Sequence, residues 1–228
     1  MGILNPQVVF EPAPLGFEAV VNSYQQAFSA LMWNEKSFGR AYEQPDDEAE
    51  RRTPKVYTQG GEYIDALPND NLNAFSFIMA RSEERYIDGE NLERDVSAVF
   101  WLDLSRVRPG VDKASVTQFS TEVIKVIQQH PYTMNVQRVY DERIEDIFFG
   151  YITNEMMKSN KYLMYPFGGF RIDFTVGYPN PCDNVNVPML LTSGEQAINY
   201  FTLKAGNKVA RVYLVEDNGQ LTLEIVQQ

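Results

Sequence analysis

Between Phe170 and Tyr178 apolar and polar side chains alternate without a break: Phe170, Ile172, Phe174, Val176 and Tyr178 against Arg171, Asp173, Thr175 and Gly177. A period of two sets one series on each side of an extended chain, and no helix sorts residues that way. The segment predicts a strand with one face in a core and one face outside, closed by Pro179-Asn180-Pro181. Such a strand needs partners beside it and an apolar layer on it, so the rest of the chain must supply both.

Other segments supply strands. Val96 to Val107 (VSAVFWLDLSRV) is apolar on both parities, with Val99, Trp101 and Val107 on one and Ala98, Phe100, Leu102 and Leu104 on the other. Burial on both faces follows, as a central strand or at an interface. Ala74 to Ala80 reads as a strand, and Lys55 to Asp65 as a strand pair around Gly60-Gly61. Leu67-Pro68-Asn69-Asp70-Asn71 is a turn, 43–53 a charged loop, and 82–95 a solvated hairpin tip. Thr133 to Val139 is a further short strand.

Helices supply the cover. Val20, Val21, Tyr24, Phe28, Leu31 and Met32 recur at helical spacing between Leu15 and Trp33, with Asn22, Gln25 and Gln26 on the other side. A second stripe runs through Val116, Phe119, Val123, Val126 and Ile127, with Asp112 as the expected N-cap and His130-Pro131 as the stop. Tyr140, Ile144, Ile147, Phe148 and Tyr151 suggest a shorter third helix, its outer face carrying Asp141, Glu142, Glu145 and Asp146.

The C-terminal stretch has no helical period. Lys208 to Gln228 reads as a hairpin around Asn218-Gly219, a strong two-residue turn signal. That turn pairs Leu214 with Leu223 and Val212 with Ile225, and sets Glu216 against Leu221. Ile198 to Leu203 is expected to join it. The fold predicted is α+β: an antiparallel sheet packed by two amphipathic helices, with a small C-terminal β appendage. Residues 1–14 form an extended arm with Pro6, Pro12 and Pro14, either lying on a neighbouring subunit or loose. Residues 15–182 form the core, and 183–228 the appendage, either docked on its own core or donated to a neighbour.

Composition excludes several classes. Hydrophobic residues at 44% and charged residues at 22% of 228 describe a globular chain, so disorder is not the default. One cysteine, Cys182, forms no internal disulfide. The opening MGILNPQVVFEPAP lacks a basic region and a long apolar run, so no signal peptide is expected. Gly2 invites myristoylation but Pro6 stands where Ser or Thr is wanted. No apolar run approaches the roughly 20 residues that span a bilayer, so no membrane partner is expected. The formal charge of −11, with only 20 Lys and Arg, argues against a phosphate-gripping face.

Chemistry-bearing residues are sparse. His130 is the one histidine; at a helix end it is read as a carbonyl cap or plain surface residue rather than a catalytic base. Cys182 has no local base or cation and reads as a small buried residue. Glu142, Glu145 and Asp146, at i, i+3 and i+4 of the third helix, are the best candidates for a hard cation. They ground the alternative of a metal-dependent hydrolase or nuclease, against the plainer reading of a solvated face. Asn69-Asp70-Asn71 lacks the spacing of a Ca²⁺ loop. Gly168-Gly169 reads as a bend that re-aims the chain into the strand. No P-loop, G-x-G-x-x-G, C-x-x-C, H-E-x-x-H or G-x-S-x-G occurs. The expectation is no enzyme and no cofactor, with a sugar- or peptide-binding module as a third possibility.

Aromatic residues make up 13% of the chain. Tyr162, Tyr165, Phe167 and Phe170 cluster across the glycine pair, and Phe100 and Trp101 lie on the doubly apolar strand. These six are candidates either for core packing or for an inter-subunit interface, where Tyr, Phe and Trp are enriched.

A long first helix, a three-stranded meander, a second helix and a returning strand resemble the head–tail joining and tail-terminator proteins of tailed bacteriophages. The stretches Tyr162-Leu163-Met164-Tyr165-Pro166-Phe167-Gly168-Gly169-Phe170-Arg171-Ile172-Asp173-Phe174 and Gly61-Glu62-Tyr63-Ile64-Asp65, with Leu67-Pro68-Asn69-Asp70-Asn71, are similar to structural proteins of phages of gut Bacteroidetes, including crAss-like phages. The resemblance covers roughly residues 15–180, and the β appendage stands outside the basic family pattern. It implies a homo-oligomeric ring in the virion neck, built in the host cytoplasm, contacting other neck and tail proteins. It also implies that DNA passes through the lumen of that ring without specific binding. No catalytic residue is implied.

Overall fold

A computed structural model describes residues 14–45, 52–58, 62–68, 72–88, 90–108, 115–151, 163–180, 199–205, 208–217 and 220–227, with backbone alone for 43–45, 52 and 199–227. The chain forms two compact units that meet in sequence at Tyr178 and Pro179.

The first unit is an α+β fold on a mostly antiparallel sheet. Helix α1 (Phe17–Ser29) is followed by β1 (Lys36–Pro45), β2 (Arg52–Tyr57), β3 (Tyr63–Asp65), β4 (Ala74–Ala80), β5 (Arg85–Tyr86) and β6 (Asn91–Asp103). Then come α2 (Leu104–Val107), α3 (Val116–Gln129), β7 (Thr133–Tyr140), α4 (Ile144–Ile147) and β8 (Phe167–Pro179). The strands lie in the order β3-β2-β1-β4-β6-β8-β7, with β5 paired to β6. The β1–β4 pair is parallel, a departure from the purely antiparallel sheet expected. It arises because β2 and β3 fold outward from β1 and the chain returns to the opposite side of β1.

β6 sits between β4 and β8, and its run Val96–Asp103 is buried throughout. Its two parities feed two apolar layers. Ala98, Phe100 and Leu102 join Phe170, Ile172, Phe174 and the stripes of α1 and α3 on one face. Val99 and Trp101 join Phe75, Phe77, Ile144, Ile147, Phe148 and Tyr151 on the other. The alternation of β8 therefore delivers its Phe170–Tyr178 series to the helical layer as expected. Residues such as Phe28, Phe100 and Phe174, each fully buried, contribute about 1.5–3 kcal/mol each relative to exposure.

Several local expectations need correction. β1 was not expected, and the loop read at 43–53 gives its ends to β1 and β2. A register shift between Ser37 and Arg40 puts Phe38 and Ala41 in one apolar layer, so no period of two survives in the sequence. Met32, placed on the apolar stripe of the first helix, is exposed because α1 ends at Ser29. Gln25, placed on the outer side, is buried and donates to the Ser37 carbonyl at 2.9 Å, because α1 packs on β1 as well. The cap of α3 is Ser115, whose hydroxyl accepts from Thr117 N, rather than Asp112, which lies outside the described residues. The strand read as 96–107 runs from Asn91 to Asp103 and then turns into α2, because the Asp103 carboxylate caps Ser105.

Gly168 and Gly169 lie inside β8 rather than in a bend. A Cβ on Gly168 would stand 2.7 Å from Val116 Cγ2, and one on Gly169 3.1 Å from the Phe100 carbonyl. The pair lets α3 and β6 approach the strand.

The second unit contains β9 (Asn199–Ala205), β10 (Lys208–Asp217) and β11 (Gln220–Gln227) in the antiparallel order β11-β10-β9. Leu214 faces Leu223, Val212 faces Ile225 and Glu216 faces Leu221, the register that a two-residue turn at 218–219 dictates. The turn residues themselves lie outside the described residues, as do the 1–13 stretch of the arm, Gly60-Gly61, Asn69-Asp70-Asn71 and Cys182.

Candidate interaction surface

The six nominated aromatics divide by burial. Phe100 and Phe170 are fully buried and stack at 4.9 Å, with Phe28 edge-on to Phe100 at 5.1 Å. Trp101, on the opposite parity, stacks against Phe167 at 5.2 Å and Phe75 at 5.8 Å. These three side chains are used up by the chain's own two layers. Phe167 is half-buried against the second layer, Tyr165 is 69% exposed beside Met164, and Tyr162 lies outside the described residues.

Other exposed apolar side chains escaped the sequence reading. Tyr63 and Ile64 line the edge strand β3, Met134 stands on β7, and Phe149 follows α4. Tyr86, 72% exposed, and Ile87 occupy the tip of the β5–β6 hairpin. Surrounding charges hid that pair within 82–95; two adjacent large apolar residues inside an acidic stretch were the available signal. The expectation of a hairpin tip there holds, with β6 starting earlier than read.

That tip is rigid. The Asp88 carboxylate accepts from the backbone N–H of Glu90 at 2.9 Å and of Asn91 at 2.7 Å, and from the Asn91 side-chain amide at 3.0 Å. The Asn91 side chain first, then these backbone bonds, hold the Asp88 carboxyl below its usual range. Lower in the hairpin, Arg85 donates to Glu93 at 2.9 Å and to Asp95 at 3.2 Å.

The outer face of β8 is not solvated as predicted. Arg171 and Asp173 are 2% and 1% exposed. Asp173 accepts from Arg171 Nε at 2.9 Å and Ser97 Oγ at 2.6 Å, and pairs with Arg81. Arg171 also donates to the Asp146 carbonyl, and its guanidinium lies 4.1 Å from the Tyr140 ring centroid. A buried pair of this kind is tolerated when its remaining donors and acceptors are satisfied, as they are here. Beside it, Asp95 accepts from Thr175 at 2.8 Å and Gln137 at 3.2 Å. Partial burial raises the Asp95 pKa, but the Thr175 hydroxyl, Arg85 and Gln137 outweigh that and hold it below the usual range. Carboxylates so occupied organise the sheet face.

His130 does not cap a helix with its ring. Half-buried, it stacks on Tyr24 at 3.8 Å, and its Nε2 lies 2.8 Å from the Ser23 hydroxyl, so it ties α1 to the end of α3. Glu142 precedes the four-residue α4, and only Glu145 and Asp146 lie on it, so the three acids do not share one helix face. Among the described residues no three His, Cys, Asp or Glu come together in a way that could hold a metal ion. A shallow depression of about 420 Å³ lies on the exposed side of α3, lined by Arg108, Thr117, Gln118, Thr121, Glu122 and Lys125.

Among the described residues no helix is long and apolar enough to cross a membrane. No protein-family model matches the chain, no curated protein is similar to it, and no solved structure resembles it.

Proposed function

We propose that this chain is a structural virion protein: a subunit that assembles with copies of itself into a ring in the neck or tail connector of a tailed bacteriophage. DNA passes through the lumen without specific binding. Other neck and tail proteins contact the ring along its axis, and the subunit carries no catalytic site or cofactor. It is made in the host cytoplasm and ends in the virion.

The observation that carries the reading is the distribution of exposed apolar side chains. Tyr63 and Ile64, Tyr86 and Ile87, Met134, and Met164 with Tyr165 stand on separate elements. Sites that differ from one another suit heterologous, head-to-tail contacts, which close into rings when the rotation between copies allows. The acidic balance of −11 supports a lumen that repels phosphate and leaves DNA free to move. Electron microscopy and light scattering on the full chain test this. Closed rings with carboxylates lining the lumen are expected. A monomer at every concentration, with candidate neck partners present, or a lumen lined by Lys and Arg, overturns it.

A further inference from the structure

We propose that the β5–β6 hairpin tip of one copy docks into the α3 depression of the next, a contact that rests on the ring reading above and names the surfaces that build it. β6 joins the two sites. The hairpin lies at its Asn91 end, and Arg108 follows its Asp103 end through α2. Tyr86 and Ile87 stand exposed and are not among the residues that line the depression, so the engagement proposed is between copies and head-to-tail.

The surfaces are opposite in charge. The tip offers Tyr86 and Ile87 next to Asp88, whose carboxylate accepts from the N–H groups of Glu90 and Asn91; docking that uses side chains already held in place costs little ordering. Exposed Glu83 and Glu90 flank it. The depression, about 420 Å³, is lined by Arg108 and Lys125 together with Thr117, Thr121, Gln118 and Glu122. Arg108 lies over the Phe119 ring at 4.8 Å and pairs with Glu122 at 3.6 Å, while Lys125 makes no ion pair among the described residues. Glu122 is engaged by Arg108 and by the Trp33 indole at 2.9 Å, which leaves Lys125 as the cation to meet the hairpin acids. An exposed aromatic side chain beside acids, meeting a surface that carries an unpaired lysine, is a contact in which few residues hold most of the binding energy.

Sedimentation of the full chain over a concentration series tests the contact, with circular dichroism confirming that each variant is folded. Tyr86→Ala is expected to raise the dissociation constant of the assembly about tenfold or more. Lys125→Glu is expected to weaken it on the order of tenfold, and Glu83→Lys with Glu90→Lys to do the same. Mixing the Lys125→Glu chain with the Glu83→Lys/Glu90→Lys chain should restore association, because each contact between unlike copies in that order regains opposite charges. An assembly that forms normally in all three variants overturns this contact and leaves the ring reading standing. A wild-type chain that never assembles removes both.

Discussion

The ring of His130 stacks on Tyr24, its Nε2 lies 2.8 Å from the Ser23 hydroxyl, and its Nδ1 accepts from Tyr132 N–H at 3.5 Å. That arrangement suits the neutral imidazole with its proton on Nε2. Burial lowers the His130 pKa below its ordinary 6.5, more than a hydrogen bond to the Ser23 backbone raises it. The titratable groups facing it are Tyr24, whose hydroxyl is pushed up by burial and so stays protonated, and Tyr132. As pH falls, the unfolded chain takes the proton first. The stability that His130 contributes is therefore full above about pH 6.5 and is lost as pH drops towards the folded value. Thermal melts of wild type and His130→Gln at about pH 7.5 and about pH 5.5 check this. The fall in Tm between the two is expected to be smaller in the variant, and an equal or larger fall removes the assignment.

At the scale of elements, three strands and a helix are seated by what glycine omits. Gly168 admits Val116 of α3 and Gly177 admits Met134 of β7, each with a neighbour under 3.0 Å from a built Cβ: 2.7 Å and 2.8 Å. The neighbours differ in compliance. Val116 is β-branched and stiff in its helix, whereas Met134 is an exposed, unbranched thioether that can swing away. Gly168→Ala is thus expected to cost about 1–3 kcal/mol in urea unfolding, as overpacking does. Gly177→Ala is expected to cost clearly less, and the reverse order would show that the helix, not the edge strand, yields. The same scale explains what could be read in advance. α3 and β8 repeat their apolar residues at unbroken periods, and both were legible. β1 hides behind its register shift, and α4 is a single turn where a longer helix was expected, because β7 runs on to Tyr140.

For the whole first unit, β6 is the shared wall of both apolar layers. Trp33 reports on the helical layer and Trp101 on the other. If one strand couples them, the layers melt together. Single-tryptophan variants, Trp33→Phe and Trp101→Phe, should show superimposable fluorescence transitions in urea, each referred to its own stability by circular dichroism. Separated midpoints would mean that the two faces of the sheet unfold independently.

Local order was written in the chain itself. The period of two in Phe170–Tyr178, the double burial of Val96–Asp103, the stripe of α3 and the register around Asn218-Gly219 all depend on neighbours a few residues away, and spacing encodes them directly. Folding in three dimensions decided which outward-looking side chains meet water. Arg171 and Asp173 are covered because Arg81, Ser97, Tyr140 and the Asp146 carbonyl converge on them from distant segments. Likewise, Phe100, Trp101 and Phe170 look like interface residues in sequence but fill the chain's own layers, while Tyr86 and Ile87 stand clear on a charged hairpin. Spacing specifies a side of an element; only long-range packing determines whether something lies against that side.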